Sequence, residues 1–422
     1  MKIFNYFGKE QRVYYEKLDN GLEIYVVPNK NIKRYHIEAV TKYGSEIEKV
    51  KLSNGKYLSI PHGTAHFLEH KMFDMEEGDG ISYLSLLSIY ANAGTNYFST
   101  RYYIDGKKHF KEGFEYFLKM IFTPYFNQES IEKEMGIIEE EIKMYDDEPF
   151  WIIDEHFRDS FYKNILKNKI SGTKEDIHEI NSELLNQIYN IFYQPSNMFL
   201  VISGNVSLKK TFDIIKNNKE LNSPRITNKE IVYDMKKEPR EVINEYREMK
   251  LNIAFPKVRY AFKFDLNDFS YKDKPVLRYY LNLIFSTLFG EGSLFDEEII
   301  EKKLATYYFI DHFRKDNIYT FDIEGESEYA DLFKEEVDKT LKNIYIEEED
   351  FLRIKKTWYS LIIKSLDKPE IVADSIITDI LLNNKYTDEK EIIDSLKYEE
   401  VNDIVKEINF NNKTFMLSLP KE

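Results

Sequence analysis

His66-Phe67-Leu68-Glu69-His70 decides how this chain is read, because five residues carry two imidazoles and a carboxylate. On a helix, positions four apart stack one turn apart on the same face, so both histidines can reach a single metal ion. Glu69 directly precedes the second histidine, close enough to reach a water on that ion. The same spacing also suits a structural pair of histidines, buried or at the surface. Only eight histidines occur in 422 residues, so the pattern is uncommon by chance without being decisive alone.

A catalytic zinc usually takes three protein ligands and keeps one position for water, so a third ligand is expected. The best source is Ile131–Tyr145, which reads IEKEMGIIEEEIKMY. Ile131, Met135, Ile138, Ile142 and Tyr145 recur at helical spacing and form an apolar stripe. Glu140 points away from that stripe and is expected in solvent. Glu134 and Glu141, two turns apart, share one flank of the buried face, and Glu139 lies on the other flank. A half-buried pair of carboxylates suits one ligand and one group that orients the site. A plain acidic helix face is the alternative reading of the same residues.

The order H-x-x-E-H inverts the common zinc-protease motif. His70 is followed 71 positions later by Glu141, at the end of an E-x-x-I-I-x-x-E run. In this combination the chain resembles the M16 metallopeptidases, the inverzincins related to pitrilysin and mitochondrial processing peptidase, and among them a bacterial processing-peptidase-like group. Asn20-Gly-Leu-Glu-Ile-Tyr-Val-Val-Pro28 is similar to the opening strand of these proteins. Tyr43-Gly-Ser45 and the run Gly63–Phe73 are similar to the stretch entering their active-site helix. Asn92-Ala93 with Thr95, Thr100 and Tyr102 resembles the family's N-A-x-T…T-x-Y strand. Tyr193-Gln-Pro-Ser-Asn197 with Gly204-Asn205 resembles the end of its first domain. The resemblance covers essentially the whole chain and is most specific in the N-terminal half. It implies Zn²⁺ held by His66, His70 and Glu141, with Glu69 as the base that takes a proton from the metal-bound water. Glu134 would orient a ligating histidine or the water network, and the implied reaction is peptide-bond hydrolysis.

Bulk properties bound the alternatives. A length of 422 residues fits two domains of about 200 residues better than one. A hydrophobic share of 42% supports large cores, and 32% charged residues supports a soluble surface. Lys and Arg total 59 against 74 Asp and Glu, a net charge of −15, which argues against nucleic acid and anionic membrane as partners. With no cysteine there is no disulfide, thiol nucleophile or thiolate ligand. The N-terminal MKIFNYFGKEQRVYYEKL breaks into charge before any useful apolar run, and no stretch approaches the roughly 20 apolar residues of a membrane span. A cytoplasmic protein is expected.

A faint duplication runs through the chain. Leu185-Asn186, Ile188 and Phe199 correspond to Val401-Asn402, Ile404 and Phe415, each pair 216 positions apart. IEKEMGIIEEEIKMYDDEP likewise has a counterpart in EEDFLRIKKTWYSLIIKSLDKP. The same offset carries the metal motif onto Asn282, Phe285 and Ser286, so the second half is expected to keep the helix without ligands. The joint is placed at 217–245, a polar stretch with two prolines, between a zinc-binding domain at 1–216 and a homologous domain at 246–422. Strands such as Glu23–Val27 and Phe199–Ser203 interleave with helices at 110–122, 129–146 and 182–192. That mixture predicts an α+β fold, each domain a mostly antiparallel sheet covered by helices. The resemblance adds that the two domains face each other around a cleft as a clam shell.

Asn92–Tyr103 alternates like a strand, and the resemblance makes it the edge strand that pairs with an extended peptide substrate, with Asn92 and Ala93 in contact. A plain structural strand is the alternative. One departure matters: many active relatives carry, in the second half, an Arg and a Tyr that bind the substrate carbonyl. Registered on Leu294-Phe295 and Leu304-Ala305, those positions hold Ile299 and Thr306, with Tyr307 one residue out of step. The resemblance therefore implies half of an enzyme, completed in trans by a homologous M16 partner in a heterodimer, or by a second copy in a homodimer. A zinc-binding scaffold, or a structural subunit that binds peptide without efficient cleavage, is the alternative function.

Overall fold

A computed structural model of the chain describes every residue except 53, 224–230, 234–235, 343 and 422, so parts of the expected 217–245 connector lie outside the described residues. The architecture is α+β, with two mixed sheets covered by helices. The first sheet is built from β1 (Lys2–Tyr6), β2 (Gln11–Lys17), β3 (Glu23–Pro28), β4 (Tyr35–Thr41), β5 (Tyr90–Thr95), β6 (Thr100–Gly106) and β7 (Met198–Gly204). Its order is β1-β2-β3-β7-β4-β6-β5, antiparallel except for the β3–β7 pair. The second uses β8 (Tyr246–Leu251), β9 (Lys257–Asp265), β10 (Tyr307–Lys315), β11 (Ile318–Glu326) and β12 (Lys413–Pro420) in the order β8-β12-β9-β11-β10, with only β8–β12 parallel. The five-strand order β3-β7-β4-β6-β5 thus recurs as β8-β12-β9-β11-β10, with the same directions. Phe199 of β7 and Phe415 of β12 take equivalent places, beside Val40 and Tyr260 respectively.

Asn92–Tyr103 is not one strand but a hairpin, β5 turning into β6. Asn96 makes the turn: its side-chain oxygen accepts from the backbone N–H groups of Phe98 and Ser99 at 2.8 and 2.9 Å. Such an Asx turn reverses the chain inside a stretch whose alternation reads as continuous.

Residues 1–144, 168–235 and 363–388 form one compact unit, and residues 145–167, 236–362 and 389–422 the other. Compactness therefore follows a different division from a single cut at one connector. In each half of the repeat the long helix is followed by a proline that starts a new helix, Pro149–Phe161 or Pro369–Asn383. Each of these helices belongs to the unit formed mainly by the other half.

Within the first unit, helix Pro369–Asn383 packs on β7 and β4, while the unit's own helices cover the opposite face. Every residue of β4 and β7 is consequently buried, as expected of strands covered on both sides. Ile37 and Ala39 of β4 enter the apolar core, and His36 and Glu38 alternate onto the face under Pro369–Asn383. Helices α1 (Thr64–Lys71), α2 (Gly80–Leu86), α3 (Phe110–Phe122) and α4 (Gln128–Asp147) follow in chain order. In α4, Ile131, Ile138 and Ile142 are buried and Met135 packs against the same core. Tyr145 instead packs its ring against Trp151 in the second unit. No helix among the described residues is long and apolar enough to cross a membrane.

Candidate metal centre

Helix α1 begins at Gly63, which adopts φ 82°. A Cβ there would run into the carbonyl oxygen of Ser171, so both conformation and space require glycine. Along α1, Ala65, Phe67, Leu68 and Lys71 are buried, and only His66, Glu69 and His70 are partly open. Those three positions share one face of the helix, and it is the face α4 approaches.

His66 and His70 stand with ring centroids 4.6 Å apart and planes at 67°. Glu141 reaches both: its Oε1 lies 3.6 Å from Nε2 of His66 and its Oε2 lies 3.5 Å from Nε2 of His70. These separations are too long for good hydrogen bonds. They match the spacing of about 3.3–3.6 Å between two ligands bound 2.0–2.2 Å from one tetrahedral ion. The three side chains can each offer one ligand atom within 4.8 Å of the others, the only such His/Asp/Glu group among the described residues.

The surroundings prepare these atoms for a cation. His66 Nδ1 is buried without a hydrogen-bond partner, and burial, with the neighbouring His70, pushes the pKa of His66 down to about 4. The ring is therefore neutral at ordinary pH, the form that ligates a metal. His70 Nδ1 lies 2.8 Å from Glu134 Oε1. Burial alone would lower the pKa of His70, but the Glu134 hydrogen bond and the charges of Glu134 and Glu141 raise it. With Nδ1–H donating to Glu134, the lone pair of Nε2 faces Glu141, the carboxylate–histidine arrangement that orients metal ligands. The donor set and the spacing both fit a resident ion.

Glu69 stands beside the pair rather than in it. Burial raises its pKa, and a hydrogen bond with Thr95 of β5 pulls the other way. A carboxylate shifted upward is better matched to accept a proton near neutral pH. Tyr102 and Tyr193 lie close enough that Glu69 adds to the upward push that burial gives their pKa values, and their hydroxyls meet at 2.7 Å.

The other acidic residues of α4 take different places. Glu139 pairs outward with Lys174 and His178, both at 2.7 Å, and Glu140 is largely in solvent. Asn92 and Ala93 lie on β5, the edge strand that also carries Thr95. Ala91, Ala93 and Thr95 alternate toward α1, whereas Tyr90, Asn92 and Gly94 take the opposite face. The Ala93 N–H points away from β6 and donates to Asn92 Oδ1 at 2.8 Å. Asn92 is therefore on the strand beside the metal group, with its side chain turned from Glu69.

Lys71 is a contributor that motif reading missed. Its fully buried ammonium bonds Asp74 and, at 2.9 Å, Ser130 at the start of α4, tying the end of the histidine helix to the helix that carries Glu134 and Glu141. Its position with Phe67, four residues earlier, put it on the buried face, which is the one signal that could have found it.

In the second unit the equivalent helix, Lys274–Phe289, holds Asn282, Phe285 and Ser286 where α1 holds His66, Glu69 and His70. The Tyr319 hydroxyl donates to Asn282 Oδ1 at 2.8 Å and meets His312 Nδ1 at 2.7 Å, while Phe285 stacks on Phe321. Ile299 is buried in that unit's core, and the N–H of Thr306 donates to the Glu326 carbonyl. The Tyr307 hydroxyl accepts from Lys257 at 2.9 Å.

Known proteins resemble the chain over most of its length. Residues 59–174 match the family described as Insulinase (Peptidase family M16), and residues 179–357 match the one described as Peptidase M16 inactive domain. The chain is 30% identical to YmfH of Bacillus subtilis, described as an uncharacterized zinc protease, over 96% of both proteins. Zinc protease PqqE of Helicobacter pylori is 24% identical over 72% of this chain and 66% of its own length. Among solved structures, an M16-like peptidase from Alicyclobacillus acidocaldarius superposes with a TM-score of 0.90 at 23% identity, covering 98% of this chain and 99% of that one. A protease from Helicobacter pylori gives 0.80 at 21% identity, over 97% and 100%.

Proposed function

The chain belongs to peptidase family M16, and on that premise we propose that it is the catalytic subunit of a zinc-dependent endopeptidase acting on extended peptides. The observation that carries the reading is Glu141 standing 3.5–3.6 Å from Nε2 of both His66 and His70, with Glu69 on the same open helix face. His66, His70 and Glu141 would hold the ion, and Glu134 fixes the ring of His70. Bound zinc supplies a Lewis acid for a peptide carbonyl and lowers the pKa of its water toward about 7. Glu69 accepts the proton of the attacking water and delivers it to the departing amine. Thr95 holds Glu69 in place from β5, and the free edge of β5 supports an extended substrate by main-chain pairing.

The second unit bears on completeness. Ile299 has no side-chain donor and is buried in the core, and Thr306 carries a short hydroxyl in place of a tyrosine's long-reaching phenol. This supports a homologous partner chain that supplies those donors in trans, with a homodimer as the other arrangement. It also supports a second reading, a zinc-binding scaffold that holds peptide without efficient cleavage. Turnover of unstructured peptides by the chain alone, and again with a homologous Arg/Tyr-bearing chain added, separates the two. Cleavage in either mixture that is lost in Glu69→Gln supports the enzyme. Zinc and peptide binding with no cleavage in both supports the scaffold.

A further inference from the structure

The face of β5 turned away from α1 borders a cleft of about 590 Å³ that the metal chemistry does not use. Its walls include Tyr90, Gly94, Arg101 and Tyr103 from the β5–β6 hairpin and Glu370 and Asp374 from helix Pro369–Asn383. It continues around the strand edge to Ala93 and Thr95, and Thr95 is the residue bonded to Glu69. We propose that this cleft is a specificity subsite taking the side chain of a lysine or arginine from a peptide paired to the free edge of β5. The proposal rests on the peptidase reading above and adds where one substrate side chain goes and what its chemistry is.

Strand geometry makes the argument. A peptide added to β5 sends alternate side chains to opposite faces of the sheet. Those on one face meet Glu69 and the histidines, and those on the other enter this cleft. Gly94 leaves the floor open: it lies directly across from Arg101, and a Cβ placed on it meets nothing within 4 Å. Tyr90 and Tyr103, with ring centroids 6.2 Å apart, form an aromatic wall of the kind that attracts a cation.

Charge selects the occupant. Glu38, Asp105, Glu370 and Asp374 line the cleft against Arg101 and His36. Arg101 is shared between Glu38 and Asp374, lying 2.8 Å from the latter. Arg34, which pairs with Glu370 at 2.8 Å from outside the lining, still leaves one carboxylate in excess. Asp374 and Glu370 keep 58% and 38% of their side chains exposed, so both carboxylates, though each is paired with an arginine, stay accessible at the open rim. A guanidinium or ammonium is the complementary group, whereas a carboxylate would be repelled.

The test uses nine-residue fluorescein-labelled peptides of Ala and Ser carrying one Arg, Gln or Glu at each position in turn. They are titrated against zinc-loaded Glu69→Gln protein and read by fluorescence anisotropy. At one register Arg should bind about tenfold tighter than Gln, and Glu weaker than Gln. Asp374→Lys should erase or invert that order. Gly94→Leu, which fills the floor from the strand side rather than from the helix, should remove the Arg advantage over Gln. Peptides that bind with no charge preference, or with the same preference in both variants, overturn the subsite and leave the peptidase reading standing. No binding by any peptide overturns both.

Discussion

Glu134 Oε1 accepts the Nδ1 hydrogen of His70 at 2.8 Å, and that contact decides which face of the imidazole is left for a metal. Groups that orient a ligating histidine typically contribute 10–100-fold to metal affinity. Glu134→Ala should therefore weaken zinc binding by about that factor without abolishing it, measured by competition with a chelator of known affinity. An unchanged dissociation constant would mean that His70 is oriented by something else.

The edge of β5 provides the next expectation. Proline at position 93 removes an N–H that points away from β6, so the hairpin ladder keeps its own bonds. Ala93→Pro should weaken peptide binding while zinc content stays the same. Normal peptide affinity in that variant would show that substrates dock elsewhere.

Much of the metal group was legible because its parts follow helical periods: His66, Glu69 and His70 within α1, and Glu134 with Glu141 along α4. Glu139 and Glu140 were separated from them by the same rule. The hairpin was not legible, since alternation runs straight through Asn96 and only its side-chain bonds to Phe98 and Ser99 reveal the turn. Lys71 reads as a surface lysine until Ser130, 59 residues away, is brought beside it. The exchange of helices Pro149–Phe161 and Pro369–Asn383 leaves no local mark, because an amphipathic helix shows that it packs, not against what.

His36 supplies a pH-dependent element. Burial opposes its charge, but hydrogen bonds to Asp105 at 3.1 Å and Glu38 at 3.0 Å raise its pKa to about 9. A histidine whose pKa is raised on folding stabilises the fold fully below its unfolded value of about 6.5, and the contribution fades as pH rises through about 9. His36→Asn should therefore lower stability by about 1–3 kcal/mol at pH 6 and by less at pH 9.5, measured by urea unfolding. An equal loss at both pH values would show that packing, not charge, is what His36 contributes.

The second unit sets an expectation for rate. Removing one oxyanion donor typically costs about 10²–10³-fold in turnover. The isolated chain should be slow even when loaded with zinc, and a homologous chain bearing the Arg and Tyr should raise its rate by a similar factor. Robust cleavage by the chain alone, with its size measured in the same buffer, would show that no partner is needed and would direct attention to Tyr307.

Zinc content and turnover, measured together on three proteins, test the central claim most directly. The unaltered chain should bind close to one zinc, Glu141→Gln should lose it, and Glu69→Gln should keep it while any peptide cleavage disappears. Retained zinc in Glu141→Gln together with lost zinc in Glu69→Gln would contradict the assignment of ligand and base.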